Sequence, residues 1–370
     1  MKIDPARLAW LDTLREELSG FLSGLRHSDQ PGRHRPCRTG ASGAGLEASL
    51  GFACFAKKIL DATGAWSGLS LDRQQAWMDF IASFQELSGD GAFVDEGLLR
   101  HIPAPAESLK QRARRFLQGR PRPDPRQDAI LAETKQAIAT LAWSGGVTRR
   151  PFGGFPRQPA PLLARLESLD WSQPWSAGAK SALLAVFVQT QGPRLEGVDT
   201  PLLRQTLGRF LASLVDPSTG GYFRAAAVPA RGQLINGSMK VLNALEWLEE
   251  PVHRPERLID TCLLQGPPPA GCHVVDWVYV VHRCLQQTDH RRGEVQGRLL
   301  EVIDLIRTHQ NVDRGFAYAP GKAQSGYYGA VISRGLNEGD LHGTCLLTWA
   351  LAMIVELLEW PLPGWKPFRA

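Results

Sequence analysis

The chain is patterned in a helical period along most of its length. In Pro5–Leu25, the residues Leu8, Leu11, Leu14, Leu18, Phe21, Leu22 and Leu25 recur at steps of three and four, giving one apolar stripe on a helix. Residues 72–87 repeat the pattern with Trp77, Phe80, Ile81 and Phe84 on one face, and Asp72 is placed to cap them. Residues 159–169, 201–214, 255–264 and 291–309 are amphipathic in the same way. Between these stripes lie segments of a second kind, apolar most of the way round and rich in Ala, Val, Leu, Cys and Gly. They begin near Leu46, Ile130, Ser176, Asn236, Cys272 and Leu341. The last, over residues 341–360, carries a nearly unbroken apolar run at 346–355. A helix that is apolar all round has to be covered on every side. Regular alternation of covered and half-covered helices predicts an all-α fold, an (α/α)6 toroid in which residues 1–370 form a single domain. An irregular bundle and an open solenoid share this periodicity, and there is almost no strand signal.

The connections between helices repeat as well. Residues 83–93, 213–223 and 309–316 each run from a helix end through Asp and Gly to an aromatic residue, and residues 151–155 are a weaker copy. The glycine permits the backbone reversal that ends the helix, and the aromatic packs back on the helix pair. The stretch Gln310-Asn311-x-Asp313-x-Gly315-Phe316 resembles the Gln-Asn-x-Asp-Gly-Gly-Phe/Trp repeat of the squalene cyclase and protein prenyltransferase superfamily, and the other turns resemble degenerate copies. The resemblance implies six helix pairs around a central cavity lined by the starts of the inner helices. It does not fix a reaction.

Composition narrows the classes. Hydrophobic content of 43% and charged content of 21% belong to a folded globular chain, and the net charge of +5 is small for 370 residues. The one dense basic stretch, a Pro- and Arg-rich connection at 100–126, comes without a nucleic-acid motif, so no nucleic-acid partner is expected. The longest apolar run is shorter than the ~18 residues that read as a membrane span. The six scattered cysteines lack any CxxC pair and read as reduced thiols. A cytoplasmic protein without a transmembrane segment is expected, with peripheral membrane contact left open.

Residues at inner-helix starts are the candidates for chemistry: Glu47, Glu133, Lys135, Trp175, Lys180, Asn236, Lys240, Cys272, His273, Asp276, Asp340 and His342, joined by Tyr327, Tyr328 and Arg334 from the loop before the last helix. The leading expectation is a terpenoid-cyclase-like enzyme acting on a hydrophobic, isoprenoid substrate. Asp340 and His342 form its acid/base pair, assisted by Tyr328, Arg334, Asp276 and Asn236. Neither the Asp-x-Asp-Asp acid motif nor the Asp-Asp-x-x-Asp diphosphate motif of terpenoid enzymes is present. Asp340 equally suits a helix cap. No cofactor is expected. A zinc site would draw on Cys272, His273 and His342, although Ala270 and Gly343 occupy positions where prenyltransferases place ligands. Two alternatives stand beside this reading. A polysaccharide-processing toroid, lyase or hydrolase, would use Asn236, His342, Tyr328 and Arg334. A non-catalytic scaffold would bring no paired ionisable groups together. Aliphatic and aromatic cavity walls favour an isoprenoid, and polar, basic walls favour a sugar.

Overall fold

In the computed structural model, residues 5–27, 30–86, 89–104, 124–264 and 266–370 are described. Most of the basic connection at 100–126 therefore lies outside the described residues. Six helices form an inner ring: α3 (Leu50–Ala62), α6 (Pro125–Trp143), α8 (Pro174–Gln191), α10 (Arg231–Leu248), α12 (Gly271–Leu285) and α14 (Leu341–Leu357). Each packs on the next, and α14 packs on α3, so the ring closes. Outside it lie α1 (Pro5–Leu25), α4 (Leu71–Ser83), α7 (Pro159–Glu167), α9 (Thr200–Ala212), α11 (Pro255–Leu263) and α13 (Arg292–Arg307). The (α/α)6 toroid expected from the alternation is the observed architecture. Its division of labour is visible in single helices. On α14 almost every residue is buried, whereas α4 buries only Trp77, Ile81 and Ala82.

Two local expectations are corrected. The single helix read from Leu46 is two, a short α2 (Gly43–Glu47) and then α3. The break comes at Ser49, where the carboxylate of Asp95, the residue before the short α5 (Glu96–Leu99), accepts the Ser49 and Leu50 N–H groups at 2.7 and 2.9 Å and so caps the inner helix from another segment. Asp72 does not cap α4. The Ser70 hydroxyl does, accepting from the Arg73 N–H.

The repeated turns are real structural copies. Gln85 bridges Phe93, Val215 bridges Tyr222 and Gln310 bridges Phe316, each as an isolated antiparallel pair. Phe93, Phe152, Tyr222 and Phe316 are all fully buried. In two copies the next inner helix holds the aromatic by its backbone. The Phe93 N–H donates to Thr134 Oγ1 at 2.9 Å, and the Phe316 N–H donates to Thr344 Oγ1 at 3.0 Å. In the last copy, Arg314 stands where the superfamily repeat has glycine and adopts φ 71°. Its neighbour Gly315 lies where any Cβ would run into the Phe21 ring of α1. Helix α1 thus seals the outside of the closing contact. Its Arg7 pairs with Asp304 at 2.6 Å, and its Trp10 indole N–H donates to Gln310 at 3.0 Å.

The loop between α13 and α14 carries a small hairpin, β1 (Gly326–Tyr327) and β2 (Ala330–Val331), joined by Tyr328-Gly329. Both loop residues have positive φ, 47° and 89°. That is the mirror-image turn that suits tight hairpins and normally selects Asn or Gly first.

Candidate active site

The ring encloses a central cavity of about 460 Å³. All six inner helices line it, together with the 317–340 loop and the tail after α14. The tail closes one end. Phe368 stacks on Trp349, with centroids 4.8 Å apart, and the Ala370 carbonyl accepts from Asn243 and the Trp247 indole.

Three lysine amines share this space: Lys58 from α3, Lys135 from α6 and Lys240 from α10. Lys58 is buried, its Nζ 3.2 Å from Gln136 Oε1 and 5.3 Å from the Phe368 ring centre. Lys240 reaches Asp276 at 3.7 Å. Burial lowers the basicity of Lys58 and, more strongly, of Lys135, where repulsion from Lys58 and Lys240 adds to it. The only carboxylate among the described lining side chains is Asp276, which is fully buried. Neither of its oxygens has a hydrogen-bond partner. Burial pushes its carboxyl up to about 6, against the pull of Lys240.

His342 sits at the start of α14 between aromatic faces, 4.6 Å from the Phe55 ring centre and 5.9 Å from that of Tyr318. Its Nδ1 lies 2.6 Å from Gln324 Oε1. An amide oxygen only accepts, so Nδ1 carries the proton and Nε2 the lone pair. Burial, with Lys240 and Lys58 behind it, drives the imidazole down to about 3, so it is neutral at pH 7. The Cys272 thiol contacts the Tyr318 hydroxyl, and both line the cavity. Burial raises both above their ordinary values.

The expected pairing of Asp340 with His342 is not what the fold builds. Asp340 is the N-cap of α14, accepting from the Gly343 N–H at 2.7 Å through one oxygen and from the Tyr318 and Gln324 N–H groups at 2.6 and 3.0 Å through the other. Its carboxylate is spent on backbone and is not part of the cavity wall. Arg334 is exposed and donates to the Thr39 carbonyl, outside the wall. Asn236 faces a separate cavity of about 80 Å³, where its amide nitrogen lies 2.9 Å from His273 Nδ1. His273 is thus on the other side from Cys272 and His342, and the three do not converge. Among the described residues no group of three or more His, Cys, Asp or Glu is arranged to hold a metal. Tyr328 does line the cavity, presented by the strained hairpin turn, as do Asp276 and His342.

Lys58, Gln324, Tyr318 and Phe368 were absent from the sequence candidates. For Lys58 a signal existed, because a lysine inside an otherwise apolar helix is a misfit. Gln324, Tyr318 and Phe368 come from segments without periodicity, where sequence gives no facing direction.

No protein-family model matches the chain, and no curated protein matches its sequence. Solved structures do match its shape. A polysaccharide lyase aligns over 95% of this chain and 98% of its own, at 12% identity and a TM-score of 0.50. A type II terpene cyclase from Scytonema, solved with geranylgeranyl dihydroxybenzoate, aligns over 97% and 99% at 14% identity and a TM-score of 0.44. A family 88 glycosyl hydrolase from Bacteroides vulgatus aligns over 94% and 99% at 12% identity and a TM-score of 0.45. What is shared is architecture. The chain is an α/α toroid. Its chemistry has to be read from its own cavity.

Proposed function

We propose that the protein is an acid/base enzyme that works inside the central cavity on an acidic saccharide, a ring substrate carrying both a carboxylate and hydroxyl groups. The observation that carries this reading is the lining itself: three lysine amines and one side-chain carboxylate, Asp276, paired with Lys240 at 3.7 Å, set among aromatic faces. The lysines attract an anion. The oxygens of Asp276, which accept no hydrogen bond, are acceptors for hydroxyl donors, and Trp175 offers a flat surface to a sugar ring. Ionisable groups that converge in this way argue for a reaction chamber over a scaffold.

The chemistry that suits the set is β-elimination. A base takes the proton from the carbon next to the carboxylate. That C–H electron pair becomes the C=C bond, the C–O bond to the leaving sugar breaks, and the leaving oxygen takes a proton from an acid. His342 is the base, through the free lone pair of Nε2. Bound carboxylate offsets Lys240 and Lys58, which raises the basicity of His342 as the substrate arrives. The lysines also hold the charge that develops on the carboxylate.

The aromatic wall keeps the isoprenoid reading as the second one. Against it, a unit positive charge about 6 Å from another costs roughly 3 kcal/mol at an effective dielectric near 20, and a carbocation here would face the lysine cluster. Two measurements separate the readings. Calorimetry should show glucuronate binding where glucose does not, with Lys135→Met weakening it ~10-fold or more, the worth of one charge-assisted bond. Incubation with acidic polysaccharides should release unsaturated uronate, read by its ultraviolet absorbance. Equal binding of glucose and glucuronate, or cyclised product from an isoprenoid substrate, would refute the saccharide reading.

A further inference from the structure

Behind the cavity wall lies a second ionisable pair that the scheme above does not use. Tyr327, on the first hairpin strand, lines the cavity and is only 6% exposed. Its hydroxyl is hydrogen-bonded to Glu133 Oε1 from α6, a residue that is itself 2% exposed. The other carboxyl oxygen, Oε2, is buried with no partner. A buried carboxylate with one bare oxygen is a costly species, whereas a carboxylic acid in the same place is not. The ring of Tyr327 is fixed by Phe52, at 5.7 Å between centroids, and by Phe55, at 6.0 Å.

The helix opposite leaves room for this pair and for nothing more. Gly51 lies in the first turn of α3, a helix otherwise suited to larger residues. A Cβ on Gly51 would overlap the Tyr327 hydroxyl and stand 2.9 Å from Glu133 Oε1. Glycine inside a helix costs about 1 kcal/mol relative to alanine. Here it is what lets the two oxygens meet against the helix. The three residues come from three separate stretches of the chain, so the contact is built by the closed ring rather than by local sequence.

We propose that Glu133 and Tyr327 form a proton-holding pair that serves the cavity, with Tyr327 as the residue that touches substrate and Glu133 as the reservoir acting through it. This inference rests on the central cavity being the reaction chamber. In the forward step the Tyr327 O–H bond breaks as its proton passes to the leaving oxygen. The Tyr327 oxygen takes the Glu133 proton at the same time. The products are a neutral leaving group, a neutral Tyr327 and a Glu133 carboxylate that the same hydroxyl now stabilises. The proton that His342 removes from carbon balances the one that Glu133 supplies. The next cycle begins when solvent returns His342 and Glu133 to their starting states.

The surroundings favour the protonated acid. Burial pushes Glu133 up to about 8, opposed by the Tyr327 bond, assisted by the charge of Asp95 and opposed more weakly by the Gly51 backbone. Burial also raises Tyr327, with Glu133, Tyr328 and Cys54 adding to it. Among the described residues, the titratable groups that bear most on the pair are Asp95, Tyr328 and Cys54, and the His342 ring lies 6.4 Å from that of Tyr327, with the three cavity lysines sharing the same space.

The test is isotope-edited infrared spectroscopy of the full chain, following the carboxylic acid stretch that Glu133→Gln removes. In the wild type that band should be present at neutral pH and vanish as pH rises through about 8. Tyr327→Phe should move the midpoint upward, because the carboxylate loses its donor. Gly51→Ala should do the same with Tyr327 still in place, and it is the control against a general loss of packing. Saturation with glucuronate, its binding checked separately by calorimetry, should shift the band in the wild type and not in Tyr327→Phe. A Glu133 that is ionised at pH 7, a midpoint indifferent to Tyr327→Phe, or a band indifferent to bound glucuronate would each overturn the pair. If glucuronate does not bind at all, the substrate class fails, and the titration arms alone still decide whether the pair exists.

Discussion

The ammonium groups around His342 decide what that imidazole is. Burial alone would leave it neutral, and Lys240 and Lys58 hold it lower still, at about 3. Lys240→Met should therefore raise the His342 pKa, and NMR of its ring protons should show the shift. An unchanged value would mean that burial does all the work. The same residue scale shows why only part of the candidate list from sequence lines the cavity. Asp340 and His342 are two positions apart on one chain, and both are ionisable. Two residues on a helix are ~200° apart, so side chains at that spacing cannot share a face. Asp340 turns back to cap the backbone and His342 turns into the cavity. Asp276, named for its place near the start of an inner helix, does line the cavity. Lys135 and Lys240 were visible by the same reasoning. Their convergence with Lys58 was not, since that is a property of three helices at once.

At the scale of elements, the turns carry the fold's internal repeat, and its chemical core is a threonine. Thr134 and Thr344 each accept the N–H of a buried aromatic, Phe93 or Phe316, and return their hydroxyl proton to that residue's carbonyl. Thr134→Val and Thr344→Val should each destabilise the protein by about 1–3 kcal/mol, because a buried N–H is left bare, while valine keeps the volume. Denaturant unfolding would read this, and a loss below ~0.5 kcal/mol would show that the turn is held by packing alone. Sequence revealed the Asp-Gly-aromatic signature of these turns but not the threonine, which lies in a different helix. The hairpin at 326–331 went unread for a related reason. Its turn is Tyr328-Gly329, and tyrosine is a poor choice for a left-handed position. Tyr328→Gly should raise stability by roughly 1 kcal/mol by relieving φ 47°. It should also weaken glucuronate binding, because an aromatic leaves the cavity wall. Gain in one measurement with loss in the other is what a residue kept for its side chain predicts.

At the scale of the molecule, alternation between helices that are apolar all round and helices with one apolar face was enough to give the ring, because covering requirements are additive along a chain. The contents of the ring were not additive in this way. They depend on which side chains the closure brings face to face. The buried acids give the whole protein a characteristic pH response. Glu133 and Asp276 hold protons in the native state up to about 8 and 6, whereas the unfolded chain releases them near 4.5 and 3.8. Between those limits these two acids hold more protons in the native state than in the unfolded one, so their contribution to stability should fall as pH rises through the window. Melting curves of Glu133→Gln should be flatter than wild type between about pH 5 and 8, and an identical slope would contradict the raised value. The contact between α3 and α14 has a consequence in time. During synthesis α3 emerges early with the face around Phe55 bare, and α14 is the last inner helix to appear. Every partial chain is an open arc with one unfinished apolar edge, and the arc of a second copy offers the same edge. Before the ring closes, a second copy's α14 presents the same surface to that gap, so exchange of this helix between copies is the misassembly this connectivity predicts, favoured by crowded synthesis and suppressed by dilution.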